Sequence, residues 1–507
     1  MQPPNYNSLL QNILGRSHFL QPENLPEPDR PDADNIIEFL GDELLWSETI
    51  AARKPRFESI PTTLPKPLRR ALKKQGIQQL YSHQVETLNA IREGKDVILS
   101  TDTASGKSLS AYVPILESIL KHQYTALSFY GLKALTSDQG EKLTALLEGI
   151  PEAVRPQLAM LTGDTRKEER ERLLERSPGI IGATPELIHY ALRGIYWSQP
   201  WQQFLANLRY VLLDEAHAYN GAYGANMANL LRRLKLAVDR YGGNSRRLQF
   251  IFLSATVGNP SQLARSLSGR RRKRNSTQSD RLVWIHRSGA GMPERELIVV
   301  KPTNNPNPDA AKILLFLLRQ GLRGICFCNG RATIKNLLAT LRTEAASQKY
   351  PNIEGQTAIF YGGLTGERRS EIISGLQEGR MRCLLSTSAL EAGIDLAELD
   401  FALIRGWPGS LQGFRQRIGR AGRKNKGLAI FLPLERSPLD RYYAQHPELL
   451  LSAPAERVSF NARYPVDLGK HLMCAAVESG IESDRLKRYF GKTAPHIASA
   501  LLEQGAL

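Results

Sequence analysis

Two successive series of short apolar runs, each run followed by an amphipathic stretch, constrain this chain more than any other feature. The first series is DVILS (96–100), TALSFY (125–130), GIIGA (179–183), YVLLDE (210–215) and QFIFLSA (249–255). The second is ELIVV (296–300), GICFC (324–328), QTAIFY (356–361), RCLLST (382–387), FALIRG (401–406) and GLAIFLP (427–433). Continuous apolar runs of strand length belong to strands buried on both faces, and strands alternating with helices build parallel sheets. The expected fold is α/β, with two tandem units of similar build. Residues 55–297 form the first and 298–450 the second. Residues 1–54 read as an N-terminal extension, Pro-rich at first and then helix-like around IIEFLGDELLWSETIAARK. Residues 451–507 read as a helical C-terminal appendage.

A chain of 507 residues with 42% hydrophobic and 23% charged residues is an ordinary globular protein of several domains, which excludes global disorder. Its 67 Lys and Arg against 50 Asp and Glu leave a formal charge of +17. Such an excess favours a polyanionic partner, although it also serves solubility. The run Arg270-Arg-Arg-Lys-Arg274, among Ser, Gly, Thr and Gln, reads as an exposed loop, either a solvated charge run or a nucleic-acid contact. Four cysteines in so long a chain are no disulfide framework, and Cys326-Phe-Cys328 lies in an apolar run. A reducing, cytoplasmic setting is expected. The first residues carry no basic segment followed by an apolar one, and no stretch offers about 18 consecutive apolar residues, so export and membrane spanning are not expected.

Directly after DVILS comes Thr101-Asp-Thr-Ala-Ser-Gly-Lys-Ser108, then a helix-compatible segment. Strand, small-residue loop, Lys-Ser and helix follow in the order that a phosphate-binding loop requires. Backbone N–H groups from Thr103 to Ser108 can cradle phosphate oxygens, and Ala104, Ser105 and Gly106 let that backbone approach closely. Lys107 is the candidate for the β- and γ-phosphates of ATP, and Ser108 for Mg²⁺. Thr101 stands where the usual pattern has its first glycine, and an ordinary polar helix start is the alternative.

The buried-strand pattern Leu208-Arg-Tyr-Val-Leu-Leu213 ends in Asp214-Glu215-Ala216-His217, which puts two carboxylates at the strand edge where α/β sheets bind ligands. Asp214 is the candidate for holding Mg²⁺, and Glu215 for orienting and deprotonating a water. Ser254-Ala-Thr256, after the next strand, can link the phosphate site to another element. Gln416-Arg-Ile-Gly-Arg-Ala-Gly-Arg423 places arginines at helical spacing. Arg420 and Arg423 then read as fingers that reach the γ-phosphate from the second unit, with a basic surface helix as the alternative.

With these elements in this order, residues 60–450 resemble a superfamily 2 helicase of the DEAH-box type. The resemblance implies two tandem RecA-like domains with ATP between them. Tyr81-Ser-His-Gln84 is similar to the adenine-reading motif, with Gln84 as its glutamine. Leu132-Lys-Ala-Leu135, Thr162-Gly-Asp164 and Thr184-Pro185 are similar to the first-domain strand-binding motifs, which implies nucleic-acid contacts at Lys133, Thr162, Gly163, Thr184 and Pro185. Cys328-Asn-Gly-Arg331, Tyr361-Gly-Gly363 and Ser386-Thr-Ser-Ala-Leu-Glu-Ala-Gly-Ile-Asp395 are similar to the second-domain motifs. By that likeness Arg331 and Thr387 contact nucleic acid, Gly393 and Asp395 lie near the nucleotide, Gln416 belongs to the catalytic set, and His217, Ser254 and Thr256 couple the two.

The segments TASGKSL, DEAHAYNGAYGANMANLLRRL and PLDRYYAQHPELLL, the last followed by HLMCAA, resemble the bacterial mitomycin-repair helicases (YprA-like) and the related fungal RecQ-type repair helicases. Members of that branch carry a C-terminal four-cysteine zinc domain, and no such cluster occurs here. The resemblance implies a DNA-dependent ATPase that translocates 3′ to 5′ in DNA repair, a monomeric motor on single-stranded nucleic acid, with DNA favoured. An RNA helicase and a nucleic-acid-binding scaffold with a degenerate ATPase remain the alternatives.

Overall fold

The computed structural model describes residues 33–102, 105–131, 133–194, 198–270, 281–350, 352–390, 396, 398–422, 425–480 and 482–507. Each apolar run of both series is a strand. Among the described residues the first sheet has seven strands, all parallel, in the spatial order Leu282–Ile285, Asp96–Ser100, Gln249–Ser254, Leu208–Leu213, Thr125–Phe129, Ile180–Ala183 and Leu158–Leu161. Successive side chains leave a strand on opposite faces. Val97 and Leu99 therefore enter one core while Ile98 enters the other. Both faces are covered, which is why the runs are continuously apolar. The two edge strands, four residues each and only partly buried, lack that signal.

Register places the functional loops. Ser100 pairs with Ser254, Leu213 with Phe252, and Phe129 with Leu213. The carboxyl ends of these strands therefore lie level, and the segments after Ser100, Leu213 and Ser254 emerge side by side, where open α/β sheets bind ligands.

The second sheet, again of seven strands among the described residues, runs Leu44–Ile50, Arg295–Val300, Gly427–Leu432, Phe401–Arg405, Gly324–Phe327, Cys383–Ser386 and Thr357–Phe360. All are parallel except Leu44–Ile50, which pairs antiparallel with Arg295–Val300. Cys326, Cys328 and Cys383 are free thiols packed in one of its cores.

Three sequence expectations change. The segment read as helix-like is a helix only over Ala33–Leu40 and then becomes the strand Leu44–Ile50. Ile36 and Leu40 pack into the second unit's core, so this part of the extension belongs to that unit. The division drawn at 297/298 falls inside the strand Arg295–Val300. Arg270, expected in an exposed loop, pairs with buried Asp96 at 2.8 Å, while residues 271–280 of the basic run and its flank lie outside the described residues.

The C-terminal helices Pro465–Ser479, Ser483–Phe490 and Ala494–Glu503 return to the first unit. Leu468, Leu472, Ala475 and Phe490 pack with Leu236 of the long helix Gly221–Arg240. Buried Arg233 of that helix donates from Nε to Glu478 Oε2 at 2.9 Å and contacts Nδ1 of His189 and of His471. Among the described residues no helix is long and apolar enough to cross a membrane.

Candidate active site

The strand Asp96–Ser100 delivers the chain into a tight loop. Thr101 Oγ1 and Ser105 Oγ share a hydrogen bond of 2.7 Å across its base, so the threonine at the first glycine's place is built into the turn. Gly106 sits at φ +78°, a conformation that favours glycine, and a Cβ there would lie 2.7 Å from Gln84 Nε2. The helix Lys107–His122 starts at once. The N–H groups of a helix's first turn have no partner within the helix, and they fit a phosphate chain. Lys107 Nζ donates to the carbonyls of Thr101 and Asp102, at 2.9 and 2.8 Å, so the ammonium already lies over the loop. Burial works against its charge, whereas Glu215, Asp214 and Asp102 work for it.

Gln84 uses both ends of its amide as a brace, donating to Gly106 O at 3.2 Å and accepting from Tyr81 N at 2.9 Å. Asp102 is held by Arg53 Nη2 at 2.6 Å. Thr103 and Ala104 lie outside the described residues.

The strand Leu208–Leu213 brings the two carboxylates level with this loop. Asp214 is buried, and its Oδ1 accepts from Glu215 N at 2.9 Å. Glu215 takes φ +47°, a strained position for a non-glycine residue that turns it away from the strand direction. Burial first, and then Glu215, push the Asp214 carboxyl up to about 7. A carboxylate so destabilised is one that a cation relieves. The Ser108 hydroxyl and the Asp214 carboxylate are oxygen ligands that fit a divalent cation, with Lys107 beside them for the phosphates of a nucleoside triphosphate.

His217 is the junction of the site. Its Nδ1 accepts from Ala255 N at 3.2 Å and lies 3.4 Å from Glu215 Oε2, while its Nε2 lies 3.3 Å from the Gln416 amide of the second unit. Burial holds the ring below its ordinary value, so it is neutral at pH 7. The Gln416 amide thus meets the ring nitrogen opposite the one that faces Ala255 and Glu215. Ser254 Oγ donates to Ala255 O at 2.7 Å and shapes this turn, and exposed Thr256 lines the cleft.

The arginine helix spans only Leu411–Ile418. The expectation that one helix carries Arg417, Arg420 and Arg423 is corrected, because Gly419 caps it and Arg420 lies in the turn beyond. Arg417 turns inward, its guanidinium 5.2 Å from the Phe327 ring centre. Arg420 is buried, lines the cleft and acts electrostatically on Lys107. Arg423, Gly393 and Asp395 lie outside the described residues. The cleft of about 1220 Å³ gathers Ser108, Asp214 and Glu215 from the first unit and Gln416 and Arg420 from the second.

Sequence reasoning missed Arg295, which donates twice to Ala421 O, at 3.0 and 2.7 Å, and so pins the turn behind Arg420. Nothing local signals it, since the partners are 126 positions apart.

The candidate nucleic-acid residues follow the carboxyl ends of strands and are not among the residues that line this cleft. Thr162 and Gly163 succeed Leu158–Leu161, and Thr184 and Pro185 open the helix Pro185–Gly194 after Ile180–Ala183. Thr162 Oγ1 accepts from Asp164 N at 3.2 Å. Lys133 begins the helix Lys133–Glu148. In the second unit Arg331 begins the helix Arg331–Ser347 and stacks over Tyr361 at 4.7 Å, and Thr387 follows Cys383–Ser386.

Residues 81–263 match the DEAD/DEAH box helicase family, and residues 309–425 match the helicase conserved C-terminal domain. The chain is 32% identical over 440 residues to the ATP-dependent helicase hrq1 of Schizosaccharomyces pombe, covering 84% of this chain and 40% of that protein. It is 29% identical over 447 residues to the ATP-dependent helicase YprA of Bacillus subtilis, covering 87% of this chain and 57% of that one. The chain thus spans about half the length of these curated relatives. A crystal structure of the DUF1998 helicase MrfA bound to DNA and AMPPNP superposes with a TM-score of 0.82 at 27% identity, over 93% of this chain and 64% of that one. The strand-and-loop order, the cleft and these likenesses agree: the chain belongs to the DEAD/DEAH box helicases, with tandem RecA-like domains, in the branch that includes hrq1 and YprA.

Proposed function

We propose that this chain is the motor of an ATP-dependent DNA helicase or translocase, moving 3′ to 5′ on single-stranded DNA and serving DNA repair. One observation carries the reading: a single cleft collects Lys107, Ser108, Asp214 and Glu215 from one sheet and Gln416 and Arg420 from the other. Hydrolysis at such a site depends on how the two domains are set against each other, which is how nucleic acid bound across both can control it. DNA in place of RNA rests on likeness to the DNA-bound neighbour.

In this reading Lys107 exchanges its two carbonyl partners for phosphate oxygens. Ser108 and Asp214 would hold Mg²⁺, which would supply positive charge beside the phosphates. Glu215 orients a water and takes its proton as the water attacks the γ-phosphorus, whose bond to the β-phosphate oxygen breaks and releases ADP. Arg420, together with Arg423, stabilises the charge that builds on the transferring group. His217 reports the state of Glu215 to Ala255 and Gln416, next to Ser254 and Thr256. Lys133, Thr162, Gly163, Thr184 and Pro185 on one domain and Arg331 and Thr387 on the other hold the strand through its phosphates, largely independent of sequence.

The test is unwinding of duplexes bearing a single-stranded tail at either end. The proposal expects ATP-dependent unwinding or streptavidin displacement on 3′-tailed DNA, abolished in Lys107→Ala. A preference for 5′ tails overturns the polarity, and action on RNA duplexes alone moves the reading to an RNA helicase.

A further inference from the structure

Between the second sheet and the C-terminal helices the chain runs as a strap over residues 453–462, and this strap touches both halves of the cleft. On the second-domain side, Arg415 of the arginine helix donates to the carbonyls of Leu450, Leu451 and Ala453 at 3.1, 2.8 and 2.6 Å. The Glu456 carboxylate accepts from Leu411 N and, at 3.2 Å, from Gln412 N, the first two N–H groups of that helix. On the first-domain side, Gly258 N donates to Glu456 O at 2.9 Å. Val458 and Asn259 exchange bonds of 2.9 and 2.8 Å, Arg457 donates to Gln262, and Gly221 N donates to Ser459 O at 2.9 Å.

One glycine of the first domain is shaped to this strap: a Cβ on Gly258 would lie 2.5 Å from Ala455 O. A Cβ on Gly224 would meet Tyr219 O of its own domain at 2.4 Å and Phe460 Cδ1 of the strap at 2.6 Å. Gly258 follows Ser254-Ala-Thr256 closely, and Gly224 and Asn220 follow the acidic tetrad. The strap is thus fastened just behind the cleft-lining segments of the first domain. Its other end is fastened to the helix that carries Gln416 and leads into Arg420.

We infer that Glu456 is a positioning residue for ATP hydrolysis: its side chain caps the arginine helix while its backbone carbonyl is held by Gly258, so one residue sets Arg420 and Gln416 against the loop of Ser254 to Thr256. A carboxylate at a helix N-terminus satisfies N–H groups that have no partner within the helix and opposes the positive end of its dipole. Removing it frees that end of the helix to shift relative to Gly258. A shift of about 1 Å in a catalytic group costs up to about a hundredfold in rate.

The inference rests on the assignment of Arg420 to the transferring phosphate, so Arg420→Ala is measured alongside. The assay is steady-state ATP hydrolysis with Mg²⁺ and saturating single-stranded DNA, together with thermal unfolding, for Glu456→Ala, Glu456→Gln and Gly258→Ala. Glu456→Ala is expected to lower kcat about tenfold or more with the KM for ATP within about twofold of wild type and a melting temperature lowered by no more than about 3 °C, the loss of one helix cap. Glu456→Gln, which keeps an acceptor oxygen, is expected to recover most of the rate. Gly258→Ala, which pushes the strap from the opposite side, is expected to repeat the kcat loss. Wild-type kcat in Glu456→Ala and Gly258→Ala while Arg420→Ala is inactive overturns the positioning role. A kcat loss that follows a larger fall in melting temperature and is not rescued by Gln also overturns it, making Glu456 a structural cap. Wild-type turnover in Arg420→Ala overturns the finger assignment itself.

Discussion

Gly106 shows how much a single position decides. It is left-handed at φ +78°, its carbonyl takes the Gln84 amide, and its Cα faces that amide too closely for a methyl group. Gly106→Ala adds backbone strain of about 1 kcal/mol and also displaces Gln84. We expect it to weaken binding of a fluorescent ATP analogue at least about tenfold with a small change in melting temperature; wild-type affinity would show that the loop binds nucleotide in some other conformation. Lys107, Asp214, Glu215 and Arg420 are legible in the sequence because each sits at a strand end or beside glycines in a pattern with a mechanical reason. Arg53, Arg295 and Glu456 are not, because each acts on a partner dozens to hundreds of positions away, such as Arg53 on Asp102 and Arg295 on Ala421.

Among the elements, the buried strands announce themselves because two covered faces require uninterrupted apolar residues. Leu44–Ile50 does not, since its mixed burial also suits a helical spacing, and only its pairing with Arg295–Val300 decides. The docking of the C-terminal helices is equally silent in the sequence. Its centre is buried Arg233, with Glu478, His189 and His471 around it. Burial first, then Arg233, His189 and Arg232, hold His471 down at about 3, against an ordinary 6.5. Between those values the unfolded chain takes up a proton that the folded one refuses, so stability is lost as pH falls below about 6.5, by up to ~1.4 kcal/mol per unit. Denaturant unfolding of wild type at pH 7.5 and 5.5 should show that loss, and His471→Gln should reduce it. An equal loss in the variant would assign the effect to other groups, such as His83, which burial also holds down, at about 4.

For the whole molecule, the charge of +17 and the two rows of strand-end residues suit a phosphate backbone held across both domains. The affinity for single-stranded DNA should therefore fall steeply with salt, log K against log salt having a slope of about −0.7 per phosphate neutralised. A flat dependence would point to base stacking or to a partner that is not a polyanion. The two-sheet plan was readable from the spacing of apolar runs alone, whereas the strap and the N-terminal strand that join the parts were not, since neither has a local pattern of its own.

In the proposed function, ATP is hydrolysed in the cleft between the domains under the control of bound nucleic acid. The most direct test is steady-state hydrolysis with Mg²⁺ at one fixed salt concentration, without nucleic acid, with single-stranded DNA and with single-stranded RNA of matched sequence, for wild type and Glu215→Gln. Strong stimulation by DNA is expected in the wild type, with no turnover in Glu215→Gln, which still binds nucleotide. Hydrolysis by Glu215→Gln at the wild-type rate, or none by the wild type under any of the three conditions, would contradict the proposed function.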